Sequence, residues 1–254
     1  MGLARLPSRL ICLEGITVGM NQVILAHRAL FITLTLPMLS TLQALAYPAP
    51  GETPTDLQLV ILHGWGASAA DLAGLAPYLQ LTNTAMVFPD APLPHPQVPG
   101  GRMWYGFPAA YDFRTPPDFE TQADLQTSRQ QLTAWLADLV DTSQIPLERT
   151  VLAGFSQGGA MTLDVGSQLP LAGQICLSGY LHGTARPPIS SRPLLMVHGT
   201  FDPVVPIEQA HRARTALEQQ GQSVTFQELP MGHEVTPQTL QIMAGFCEDL
   251  RQTL

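Results

Sequence analysis

Gly154-Phe155-Ser156-Gln157-Gly158 sets a hydroxyl in a G-x-S-x-G pattern. The apolar run Val151-Leu152-Ala153 precedes it and a helix-forming stretch from Gly159 follows, a strand–turn–helix context in which serine serves as a nucleophile. The serine then occupies a sharp, strained turn. Neighbours without side chains let strand and helix approach, and the helix N-terminus directs free amides toward developing negative charge. Ser156 is therefore the candidate nucleophile. A serine hydroxyl alone is weak and needs a base, and in this arrangement an acid and then a histidine follow in chain order. His233, in Gly232-His233-Glu234 between the last predicted strand and the last predicted helix, is the candidate base. Asp202, in His198-Gly199-Thr200-Phe201-Asp202-Pro203, follows a strand directly, where catalytic groups gather in open α/β sheets. Its carboxylate would accept the imidazole N–H and fix the tautomer. Asp164 falls inside a predicted helix, and Glu234 adjoins His233 too closely to reach its ring. His211 reads as a surface residue and His198 as a histidine that shapes a turn.

Stabilising the oxyanion of an acyl transfer takes two N–H donors. The amide after the nucleophile, at Gln157, is one candidate. The other lies in His63-Gly64-Trp65-Gly66, after an earlier strand, with the Trp65 amide first among them. A zinc site is poorly supported: His233-Glu234 begins like HExxH, but Pro237 stands where the second histidine must be. Cys12, Cys176 and Cys247 form no CxxC pair, and Cys176 reads as a small buried hydrophobe. All twelve basic residues are arginine, which excludes P-loop, Schiff-base and pyridoxal-phosphate chemistry. The formal net charge of −8 argues against nucleic acid as a partner. No cofactor and no metal are expected.

The elements that must position these residues follow from periodicity. Residues 57–62 (LQLVIL) read as a strand ending at His63. A helix starts at Ser68, with Leu72, Leu75, Ala76 and Leu79 on one face. Residues 85–88 form a short strand. The stretch 89–117 is irregular, rich in proline and glycine, and long enough to suggest function. Trp104 and Tyr105 within it are candidate walls of an acyl pocket, the alternative being aromatics that pin the loop to the core. A helix is predicted over 118–141, a strand over 150–153 and a helix over 159–168. Strands follow at 172–177, 193–197 and 224–229, with helices at 207–220 and 237–250. Such alternation indicates a mostly parallel sheet flanked by helices.

Residues 41–47 (TLQALAY) read as the first strand, with 1–37 as an N-terminal extension and 38–254 as one catalytic domain. A competing reading makes residues 20–46 a signal peptide with a cleavage site at Ala44-Leu45-Ala46. The first reading gives a soluble cytoplasmic protein, the second an exported one. The apolar run is interrupted by Pro37 and is too short for a stable membrane span.

The ordered set Leu62-His63-Gly64-Trp65-Gly66, Phe88-Pro89-Asp90-Ala91-Pro92, Trp104-Tyr105, Gly154-Phe155-Ser156-Gln157-Gly158-Gly159, Leu177-Ser178-Gly179-Tyr180 and His198-Gly199-Thr200-Phe201-Asp202 resembles the phospholipase/carboxylesterase family, which includes acyl-protein thioesterases. The resemblance runs from about Leu42 to the C-terminus. It implies an α/β-hydrolase domain acting on esters or thioesters of small molecules or lipids through an acyl-enzyme, without a cofactor. It assigns Ser156, Asp202 and His233 as the triad and the amides of Trp65 and Gln157 as the oxyanion donors. In this family Leu often stands where Trp65 does, and Asp where Ala67 does, so the mouth of the pocket departs from the pattern. The alternatives are a non-catalytic ligand-binding protein on the same fold, or an acyltransferase using the same triad.

Overall fold

The structure, a computed structural model, describes residues 32–34, 42–49, 55–108, 111–113 and 119–254. In chain order its elements are β1 (Ile32–Leu34), β2 (Ala44–Tyr47), β3 (Leu57–Leu62), α1 (Ala69–Ala73), α2 (Ala76–Leu79), β4 (Thr84–Pro89), β5 (Leu93–Pro94), β6 (Arg102–Met103), α3 (Ala123–Ser143), a 3₁₀ turn (Leu147–Arg149), β7 (Thr150–Phe155), α4 (Gln157–Gly166), β8 (Gly173–Leu177), β9 (Leu194–Gly199), α5 (Ile207–Gln219), β10 (Val224–Leu229) and α6 (Pro237–Thr253). The main sheet runs β1-β2-β4-β3-β7-β8-β9-β10, and only the β1–β2 and β2–β4 pairings are antiparallel. This is the mostly parallel, helix-flanked sheet of an α/β-hydrolase domain.

Strands β3, β7, β8 and β9 are buried along their whole length. Helices cover both faces, which is why these runs show no polar alternation. The period-two geometry still divides their side chains. Leu57, Leu59 and Ile61 join Leu72, Leu79, Met243 and Leu250 in one core layer. Val60 and Leu62 join Leu132, Trp135, Leu136, Leu139 and Met161 in the other. The carboxyl ends of the parallel strands therefore point one way, and their loops carry His63–Gly66, Ser156, Asp202 and His233.

Three details differ from the periodicity reading. The helix expected from Ser68 to Leu79 is two short helices with Gly74 between them, although Leu72, Leu75, Ala76 and Leu79 are all buried. Gly74 is a poor helix former, and Pro77 offers no N–H to continue the ladder. The long helix begins at Ala123, and residues 114–118 lie outside the described set. Strand β1 falls within residues 1–37, so that stretch is not wholly outside the sheet. Of the remaining extension, 1–31 and 35–37 lie outside the described residues, as does most of the apolar run read as a signal. No helix among the described residues is long and apolar enough to cross a membrane.

Strand β2 covers the edge of β4, with Ala44 opposite Pro89, Leu45 opposite Phe88 and Ala46 opposite Val87. Leu42 and Ala44 are buried. A chain truncated to begin at Tyr47 is expected to melt well below one beginning at Leu42. The loss of the buried Leu42 side chain alone removes about 1.5–3 kcal/mol, and the edge of β4 is left unpaired. Equal melting temperatures for the two chains would contradict this role for β2.

Candidate active site

Ser156 sits between β7 and α4 with φ 56° and ψ −115°, a conformation that residues with side chains rarely adopt. The backbone around it is tied on both sides: its amide donates to the Leu177 carbonyl at 2.8 Å, and its carbonyl accepts from the Ala160 amide at 3.0 Å. Gly158 is required by close approach, since a Cβ there would lie 2.2 Å from the Leu62 carbonyl oxygen. The turn thus rests directly on the end of β3. Gly64, two residues beyond that strand end, also packs against the turn: a Cβ on it would lie 3.3 Å from Ser156 Cβ.

The structure brings the three triad candidates together. His233 Nε2 lies 2.9 Å from Ser156 Oγ, and His233 Nδ1 lies 2.7 Å from Asp202 Oδ2. Asp202 is itself held firmly. Its Oδ1 accepts from the Val204 and Val205 amides, each at 2.8 Å. With Nδ1–H donating to the carboxylate, Nε2 of a neutral imidazole presents its lone pair to the serine hydroxyl, as a general base requires. The Phe155 ring packs against the imidazole at 4.8 Å between centroids and limits its rotation. His198 shapes the acid's turn, as its position suggests: its Nε2 donates to the Val205 carbonyl at 2.8 Å and stands 3.5 Å from Asp202 Oδ2. His211 is on the surface, paired with Glu228 at 3.0 Å. Glu234 turns to the Gly232 amide.

Of the candidate oxyanion donors, Gln157 opens α4, where the first helical amides have no intrahelical acceptor. Neither the Gln157 nor the Trp65 amide donates to a protein acceptor among the described residues. The Trp65 loop is clamped from both ends. The Gly66 amide donates to the Arg102 carbonyl at 2.9 Å, and the Arg102 amide returns a bond to the Ala67 carbonyl at 2.8 Å. His63, at the head of this loop, is its buried bracket. Its Nε2 accepts from the Ala91 amide at 3.0 Å, which leaves Nδ1–H to donate to the Gly64 carbonyl at 2.8 Å. The Phe88–Pro92 motif therefore braces the 63–66 loop and the helix after it: Asp90 Oδ1 also accepts from the Ala69 amide at 2.7 Å, at the start of α1.

Trp104 and Tyr105 pack inside the protein, and both are fully buried. Their polar edges explain this. Trp104 Nε1 donates to the His63 carbonyl at 3.0 Å, and the Tyr105 hydroxyl pairs with Tyr180 and His182. The Gln157 side chain grips their backbone, accepting from the Trp104 amide at 2.8 Å and donating to the Tyr105 carbonyl at 2.7 Å. Sequence reasoning used only the Gln157 amide. A glutamine inside an apolar turn was the signal that its side chain has backbone partners. Cys176 and Cys247 are buried, and burial pushes each thiol up to about 12.

A serine at a strand–helix turn on a mostly parallel sheet, with an Asp–His pair converging from later loops, is the architecture of the α/β-hydrolases. The sequence profile of the phospholipase/carboxylesterase family matches residues 48–250, and the chain belongs to that family. Acyl-protein thioesterase 1 of Mycosarcoma maydis is 31% identical over 228 residues, covering 79% of this chain and 93% of that protein. Acyl-protein thioesterase 1 homolog 1 of Dictyostelium discoideum is 28% identical over 222 residues, covering 82% and 97%. Among solved structures, esterase PE8 superposes with a TM-score of 0.72 at 28% identity, covering 81% of this chain and 97% of its own. The chain is a hydrolase of this family, and its relatives include thioesterases and esterases.

The buried histidines predict an acid sensitivity. Burial pushes His63, His182 and His198 below the usual histidine range. The unfolded chain takes up protons on these residues below about pH 6.5, where the folded chain resists them. Their contribution is therefore present above pH 6.5 and is lost as pH falls through that value toward the folded pKa values. The limiting slope is about 1.4 kcal/mol per pH unit for each histidine. Melting temperatures between pH 8 and pH 5 are expected to hold steady and then fall from about pH 6.5. A flat profile down to pH 5 would contradict the neutral, buried state of these residues.

Proposed function

We propose that this chain cleaves carboxylic esters and thioesters through an acyl group carried on Ser156, with His233 as general base and acid and Asp202 as its orienting carboxylate. The observation that carries the reading is the pair of distances at one imidazole, 2.9 Å to Ser156 Oγ and 2.7 Å to Asp202 Oδ2. In acylation, Ser156 Oγ attacks the carbonyl carbon and His233 Nε2 takes the hydroxyl proton. The negative charge on the carbonyl oxygen is met by the amides of Trp65 and Gln157, each such donor being worth about 2.7–4 kcal/mol in the transition state. His233 returns the proton to the departing alcohol or thiol as the carbonyl re-forms. A water then enters, gives its proton to His233 and attacks the acyl-enzyme, and Ser156 leaves with that proton. The thioesterase names of the relatives support a thiol leaving group beside an alcohol.

The pairing of Ala44, Leu45 and Ala46 with β4 supports retention of this segment in the working enzyme. Cleavage after Ala46 would strip it from the sheet, which favours the cytoplasmic reading over the exported one.

Replacing Ser156 by alanine is expected to abolish turnover of p-nitrophenyl esters and acyl thioesters while leaving the melting profile close to the parent's. Asp202→Asn is expected to lower kcat by about 10⁴-fold with a much smaller change in KM, because the wrong tautomer then faces the serine. Steady-state assays on both substrate types read the outcome. Turnover by Ser156→Ala at the parental rate would overturn the nucleophile, and parental kcat in Asp202→Asn would overturn the acid.

A further inference from the structure

The fold contains a second Asp–His pair that the proposed reaction does not use. Asp164 on α4 and His182 after β8 meet at 2.7 Å, from Oδ2 to Nδ1. The other ring nitrogen, His182 Nε2, lies 2.8 Å from the Tyr105 hydroxyl, which lies 2.6 Å from the Tyr180 hydroxyl. His182, Tyr105 and Tyr180 are buried. Asp164 also accepts from Arg129 and Arg186, each at 2.5 Å. Burial raises the Asp164 carboxyl, but the hydrogen bond from His182 and the guanidinium of Arg129 outweigh it and hold the group at about 2. Burial likewise keeps the His182 ring neutral and both tyrosine hydroxyls protonated.

These states fix the direction of every bond. An ionised Asp164 only accepts, so His182 carries its proton on Nδ1 and offers a lone pair at Nε2. Tyr105 must donate its single hydroxyl proton there, and Tyr180 donates to the Tyr105 oxygen. The chain of bonds passes through Tyr105, whose carbonyl accepts from Gln157 Nε2 while the neighbouring Trp104 amide donates to Gln157 Oε1. Gln157 is the residue after Ser156, and its amide is one of the two assigned to the oxyanion.

We propose that His182, oriented by Asp164, is a positioning residue for the oxyanion site: it anchors the Tyr105 hydroxyl, which holds the Trp104 N–H and Tyr105 C=O that clamp the Gln157 side chain and so aim the Gln157 amide. The inference rests on the reading of Ser156 as nucleophile. The physical case is one of geometry rather than stability. A buried set of polar groups generally contributes little net stability over well-packed apolar replacements. What it supplies is a fixed arrangement, and here that arrangement ends on the residue beside the nucleophile. Oxyanion donors need placement to a few tenths of an ångström, so an anchor one residue away has a large effect on rate.

The test compares Tyr105→Phe, His182→Phe, His182→Gln and Tyr180→Phe with the parent and with Ser156→Ala. Steady-state kinetics on a p-nitrophenyl ester is combined with inhibition by phenylboronic acid, whose tetrahedral serine adduct places an oxygen in the oxyanion site. Tyr105→Phe and His182→Phe are expected to lower kcat by about 10–100-fold with KM within threefold, and to weaken the boronate in proportion. His182→Gln can still donate to Asp164 and accept from Tyr105, and is expected to recover most of the rate. Tyr180→Phe breaks a bond of the same kind at the far end and is expected to stay within twofold of parental kcat. Tyr105→Phe decides the question if His182→Phe fails to fold, since its ring packing is kept. Parental kcat in Tyr105→Phe, or an equal loss in Tyr180→Phe, would overturn the inference while leaving the nucleophile intact. Turnover by Ser156→Ala would instead remove the reading on which it rests.

Discussion

The backbone of Ser156, held at φ 56° and ψ −115°, is the constraint around which the rest of the structure is arranged. A non-glycine residue in a sparsely populated region costs on the order of 1–3 kcal/mol and persists only where its surroundings over-determine it. Here the surroundings are β7 on one side and α4 on the other, both buried, with bonds from the turn to Leu177 and Ala160. The strain puts the hydroxyl at the carboxyl edge of the sheet and leaves the Gln157 amide free at the head of α4. His233 and Asp202 reach that edge because β9 and β10 end there in parallel register.

Around this turn, several buried polar groups are held in one proton arrangement. Asp202 saturates one carboxylate oxygen with backbone amides and turns the other to His233. His63 is fixed by an amide donor at one nitrogen and a carbonyl at the other. Asp164 does for His182 what Asp202 does for His233, with a tyrosine hydroxyl in place of the serine. In a low-dielectric interior each such pair settles one tautomer, and with it the direction in which the imidazole donates. This accounts for histidines in positions where burial would otherwise favour apolar residues.

Much of the fold and of the candidate site is legible in the sequence, for identifiable reasons. The turn at Ser156 has a local steric requirement, glycine at defined positions between a strand and a helix, and local requirements leave local motifs. The parallel strands are legible because burial on both faces leaves unbroken apolar runs such as residues 57–62. For Trp104 and Tyr105, side-chain type alone does not distinguish an aromatic that lines a cavity from one that pins a loop. Only the partners of the indole N–H and the phenol decide that, and they lie 41 and 75 residues away in the chain. The apolar spacing runs unbroken across Gly74 and so hides the break between α1 and α2. The Asp164–His182 pair left no motif at all, since its members come from a helix and a loop whose meeting is a product of tertiary structure.

The central claim is that one serine carries the acyl group while the imidazole at 2.9 Å moves the proton. Rapid acid quench of the enzyme during turnover of a p-nitrophenyl ester, followed by peptide mapping by mass spectrometry, tests it most directly. The account predicts an added acyl mass on the peptide containing Ser156 and on no other. An acyl mass on a different residue, or turnover with no covalent adduct under conditions where p-nitrophenol release shows a burst, would contradict it.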